Sequence, residues 1–175
     1  MKNINWNGVP DQVAFDRLTP GGYVCEMKCV VDMPAKEYLK IEYDIAEGTH
    51  KGYYHELYKS KAFWGGTFYR SYKEKALPMF KGFLTAVKKS NPDFVFENQE
   101  KRLEGKLVGL VLAEEEYMGG DGKVKKRLYV SAVRSVEKIR KGDFTVPELK
   151  KYNPIDCKDG FYPVDESLSD ADVPF

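Results

Sequence analysis

The 175-residue chain is poor in the side chains that most often hold metals or carry catalysis. Its two histidines, His50 and His55, have no cysteine at ligand spacing and no H-E-x-x-H pattern around them. A packing or surface role is expected of both, and no metal site. Three cysteines, an odd number, argue against a disulfide framework and fit a reducing compartment. Cys25 and Cys29 stand too far apart along a strand-like stretch to wrap an ion, and Cys157 is alone. No apolar run approaches the roughly 18 residues of a membrane-spanning helix. Residues 1–12, MKNINWNGVPDQ, lack the apolar core of a signal peptide, so a cytoplasmic protein away from membranes is expected. There is no G-x-S-x-G motif, and Gly119-Gly120-Asp121-Gly122 lacks the G-K-[ST] ending and following helix of a phosphate loop. No cofactor and no catalytic residue is expected. The one acidic run outside the C-terminus is Glu114-Glu115-Glu116. Alternation along a strand lets Glu114 and Glu116 share a face, which leaves a metal-dependent nuclease as a third reading behind the two below.

What is present begins with charge. Lys and Arg number 28, Asp and Glu 27, for a net +1. That average hides two unlike regions. The last twenty residues hold six acids and one base, so residues 156–175 carry −5 and residues 1–155 carry +6. A basic body with an acidic interaction tail fits this asymmetry.

Hydrophobic alternation supplies the elements. Residues 23–32 alternate with Val24, Glu26, Lys28 and Val30 on one face and Tyr23, Cys25, Met27, Cys29 and Val31 on the other. Residues 36–47 alternate with Leu39, Ile41, Tyr43 and Ile45 together, and the two strands form a hairpin. Residues 63–72 read as a third strand with a bend at Gly65-Gly66. The stretch before it, from 51 to 62, fits a short helix or an irregular strand. Met79, Phe80, Phe83, Leu84 and Val87 recur at helical spacing, opened by Pro78 and stopped by Asn91-Pro92. Residues 105–117 and 125–137 form a second hairpin about a glycine-rich loop. A helix between strands three and four is the element order of the OB-fold, a five-stranded Greek-key barrel. The expectation is therefore a mainly β chain: an arm over 1–21, an OB-like barrel over 22–142, a linker over 143–155, and a disordered acidic tail over 156–175.

Residues 51–75 hold eight aromatics and six Lys or Arg against two acids. Single-stranded nucleic acid needs both: rings stack on bases while cations follow the phosphates. Tyr53, Tyr54, Trp64, Phe68, Tyr69, Arg70 and Tyr72 are the candidate contacts from this stretch. Alternation puts Trp64, Phe68, Arg70 and Tyr72 on one face. A second basic cluster, Lys123, Lys125, Lys126 and Arg127, follows the glycine-rich loop, with Tyr129 on the face of Lys125 and Arg127. OB-folds bind oligonucleotides across strands two and three, flanked by the loops joining strands one-two and four-five. Strand three and the four-five loop are where the rings and bases gather here.

The chain ends Asp170-Ala171-Asp172-Val173-Pro174-Phe175. Phe175 in a pocket, with its carboxylate and the Asp side chains on a basic rim, would dock a partner protein. This ending resembles the acidic tip of bacterial and phage single-stranded DNA-binding proteins, with Asp170, Asp172, Val173, Pro174 and Phe175 matching in order and Ala171 interrupting the acids. The body, through PGGYVCEM (20–27), YLKIEYDIAEG (38–48), FYRSYKEKALPMFKGFLTAV (68–87) and KLVGLVLAEEEY (106–117), resembles a family of phage-encoded proteins found with recombination and replication genes. The resemblance implies single-stranded DNA binding in the bacterial host cell and tail-mediated recruitment of replication and recombination enzymes. The alternative is a protein-interaction adaptor of a phage replication complex that binds no DNA. Exposed aromatics and barrel edges are compatible with a homodimer.

Overall fold

In the computed structural model, residues 16–154 are described. β1 (Gly21–Met33) and β2 (Tyr38–Ile45) form the expected antiparallel hairpin. α1 (Tyr53–Lys61) follows, then β3 (Thr67–Ser71), α2 (Leu77–Ser90), the hairpin β4 (Leu107–Met118) and β5 (Val124–Arg134), and α3 (Val136–Lys141). All strand pairings are antiparallel, and the sheet order is β3-β2-β1-β4-β5. The sheet is open. Among the described residues β3 and β5 are both edges, so the expected closed barrel gives way to a five-stranded sheet with a helix between β3 and β4.

The alternation of β1 breaks where the sequence could not show it. Met27 pairs with Tyr43 and Cys29 with Glu42, which leaves Lys28 as the extra residue of a bulge. A bulge shifts every following side chain to the other face. Val30 therefore joins Cys25 and Met27 in the main core, while Val31 stands 41% exposed. β5 repeats the device. Val130 pairs with Leu112 and Ala132 with Val111, so Ser131 is the extra residue, and its hydroxyl donates to the Val111 carbonyl at 3.0 Å. Val130 thus packs in the main core and Ala132 in a smaller cluster on the opposite face, whereas unbroken alternation would put residues 130 and 132 on one face.

The main core is covered by α2. Its Phe80, Phe83 and Val87 press onto Ile41, Phe68 and Leu110. Pro78 sits in the first turn, and Asn91 ties the last turn to β4, donating to the carbonyls of Val87 and Leu107 and accepting from the Leu107 amide. Leu18 is buried in the same core; Trp6, Val13 and Phe15 of the arm lie outside the described residues. The smaller cluster packs Val136 and Ile139 of α3 onto Val24 and Val111. Gly109 admits this approach, since a Cβ there would fall 2.4 Å from Ile139.

α1 resolves the ambiguous stretch as a helix, and its anchor comes from another element. Asp44 of β2 is 2% exposed. Its Oδ1 accepts from the amides of Ile45 and Tyr54 at 2.8 and 2.9 Å, and its Oδ2 from the His55 amide at 3.1 Å. A buried carboxylate thus satisfies two open amides of the first helical turn.

Candidate nucleic-acid interface

The two sheet edges face one another across a cleft of about 610 Å³. One wall is α1 with residues 63–70; the other is β5 with the outer half of β4. The first wall is shaped at Gly66. Its carbonyl accepts from the Tyr43 amide at 2.8 Å and from Trp64 Nε1 at 2.9 Å. A Cβ at Gly66 would lie 2.3 Å from the Tyr43 carbonyl and 2.6 Å from the Tyr54 ring, so only glycine lets β3 enter this close to α1.

The cleft gathers Tyr53, Tyr54, Trp64, Phe68, Tyr69, Arg70, Arg127 and Tyr129 of the expected contacts. These do not play equal parts. Tyr54 and Phe68 are each 5% exposed and make edge-on contacts with Tyr43 at 5.3 and 5.6 Å between ring centres. They form the floor and have no face to offer a base. Phe68 is covered by α2, whose Phe83 meets it at 6.2 Å between ring centres, whereas Tyr54 is enclosed by Tyr43, Trp64 and Gly66. Trp64, Tyr53 and Tyr69 are half-buried and line the wall. Burial pushes the Tyr43 and Tyr54 phenols up, and burial together with Glu115 does the same for Tyr129.

Four expected contacts lie elsewhere. Lys123, Lys125 and Lys126 are exposed on the hairpin beyond the cleft, with Lys125 paired to Asp121 at 3.0 Å. Tyr72 lines a second groove of about 560 Å³ with Leu77, Phe80, Leu84 and Phe96, and donates to Asp32 at 2.8 Å. Burial and that hydrogen bond raise its phenol to about 12. Asp170, Asp172, Val173, Pro174 and Phe175 lie outside the described residues.

Three residues join the site unannounced. Phe63 is 62% exposed at the cleft mouth, and its place in the aromatic-rich stretch was a signal for it. Arg17 donates to the Lys126 carbonyl at 3.1 Å and stands 3.7 Å from Glu114. Tyr117 lies under Arg127, whose guanidinium carbon is 5.2 Å from its ring centre. Neither carried a local signal, because only the meeting of β3 with β5 gives them a common site. Among the described residues the charged side chains lining the cleft are Arg17, Arg70, Arg127 and Glu115.

The side chains that suggested other chemistry are engaged in structure. Glu114 faces Arg17, and Glu116 accepts from the Tyr152 amide at 3.1 Å where residues 150–152 run beside β4. His50 packs edge-on against Tyr23 and Tyr53. Burial pushes the Cys25 thiol up. Among the described residues no three His, Cys, Asp or Glu gather to hold a metal ion, and no helix is long and apolar enough to cross a membrane. No known family model matches the chain, and no curated protein sequence matches it.

Proposed function

We propose that the chain binds single-stranded DNA without sequence preference and without catalysis, in an OB-like manner, along the cleft between β3 and β5. One observation carries this reading: two sheet edges, neither of which pairs with a further strand among the described residues, face each other across a trough whose walls bear half-buried rings and whose charged lining, among those residues, is three guanidiniums to one carboxylate. Rings of that kind accept any base face, and guanidiniums neutralise phosphates. The sheet order with a helix after β3 supports an opened OB barrel, with the gap at the closing edge serving as the binding trough. With the resemblance stated above, the reading extends to phage replication and recombination, the acidic tail recruiting partner enzymes.

A fluorescence-anisotropy titration of labelled oligo-dT of about 30 nucleotides, across a salt series, tests this. Sub-micromolar binding that weakens steeply with salt, with duplex far weaker, is the expected result. Trp64→Ala and Tyr129→Ala should each weaken binding by about 1–3 kcal/mol, the worth of a stacked base. No binding at low salt would overturn the reading. It would favour the adaptor instead, for which the second groove, with Leu77 48% and Val95 51% exposed nearby, supplies an apolar docking surface.

A further inference from the structure

Arg127 and Glu115 are direct cross-strand partners, and they are unequally placed. The Glu115 side chain is 14% exposed and the Arg127 side chain 53%. Glu115 Oε1 takes only the inner nitrogen of the guanidinium, Nε, at 2.6 Å. The plane above is set by Tyr117. Among the described residues, Nη1 and Nη2 donate to nothing. One anion thus holds the guanidinium by its stem side, and the two-pronged outer edge stays open toward the cleft.

We propose that Glu115 is a positioning residue which presets Arg127 as a bidentate clamp for one phosphodiester of the bound strand. The inference rests on the strand-binding reading of this cleft. Its physical content is a sign. A carboxylate in an anion-binding trough ordinarily opposes binding by like-charge repulsion. Here it holds the fork in one orientation, so that the phosphate meets two aligned N–H groups with little ordering left to do. Lysine carries the same charge without the fork.

The test is the same anisotropy titration with wild type, E115A, E115Q and R127K, each melted thermally in the same buffer. Glu115→Ala removes a negative charge, yet is expected to weaken oligo-dT binding about tenfold, the worth of one hydrogen bond to a charged group. Its log–log salt slope should lose about 0.7, one phosphate contact. Glu115→Gln keeps an acceptor for Nε and is expected to bind at least as tightly as wild type with an unchanged slope. Arg127→Lys is expected to weaken binding severalfold while keeping the slope, and this variant decides the matter should E115A fail to fold. E115A binding as tightly as wild type or tighter, or R127K matching wild type, overturns the clamp while leaving strand binding intact. Wild-type protein that binds no oligonucleotide removes the reading beneath both.

Discussion

Single atoms decide the shape of the cleft wall. Gly66 touches the Tyr43 carbonyl and the Tyr54 ring so closely that one added methyl has no room. Gly66→Ala should cost about 1–3 kcal/mol in denaturant unfolding, the usual range for overpacking. Because the displaced segment carries Trp64, oligonucleotide affinity should fall with it. Tyr72 offers a second residue-level test. Its phenol, normally near 10, is raised to about 12 in the folded chain by burial and by Asp32. The folded state therefore disfavours the phenolate that the unfolded chain forms first. Stability from this group is complete below pH 10 and is lost as pH rises through 10 to 12. Thermal melts at pH 8 and 11 should show a smaller alkaline loss in Tyr72→Phe than in wild type. Residue identity was readable, but residue environment much less so. The aromatic excess of 51–75 supplies one wall of the cleft, yet nothing local marked Tyr54 and Phe68 as floor and Phe63 as mouth. That division depends on α2 covering Phe68 and on Tyr43, Trp64 and Gly66 closing around Tyr54.

At the scale of elements, the strands were legible because their faces differ in polarity. Leu39, Ile41, Tyr43 and Ile45 all lie in the core, as alternation requires. α2 was legible from its apolar stripe and its proline start. The bulges at Lys28 and Ser131 were not, since a local pattern carries no mark of an extra unpaired residue. α1 was not legible either. Its N-terminal anchor, Asp44, sits on another strand and reads there as one more outward-facing polar residue. Asp44→Asn would keep an oxygen for Tyr54 and set an NH2 against the His55 amide. The expected cost is roughly 1–3 kcal/mol, with amide exchange quickening over Tyr53–Lys61 before the rest of the sheet. An unchanged exchange pattern would mean that the helix holds without its anchor.

On the scale of the whole molecule, charge organises the expected behaviour. On the proposed strand binding, three cleft guanidiniums that each met one phosphate would give a salt slope of about −2; exposed Lys123 and Lys126 at the hairpin would steepen it. The acidic residues 156–175 carry −5 and share their sign with the DNA strand. Removing them should raise oligo-dT affinity at low salt and leave it nearly unchanged at high salt, where such repulsion is screened. Equal affinities at low salt would show that tail and strand do not compete.

The open sheet order also has a consequence in time. β1–β2 and β4–β5 are hairpins closed by short turns, and β2 meets β3 across residues 46–66, which hold α1. The pairing of β1 with β4 joins residues far apart in sequence, such as Tyr23 and Leu110. Local pairings form quickly and distant ones slowly. The two halves of the trough can therefore each be made early, while their apposition waits for this one long-range seam. During refolding, the tryptophan signal of the first wall should recover ahead of the apposition of the two walls, so that on the proposed reading the capacity to capture a strand would be the last to return.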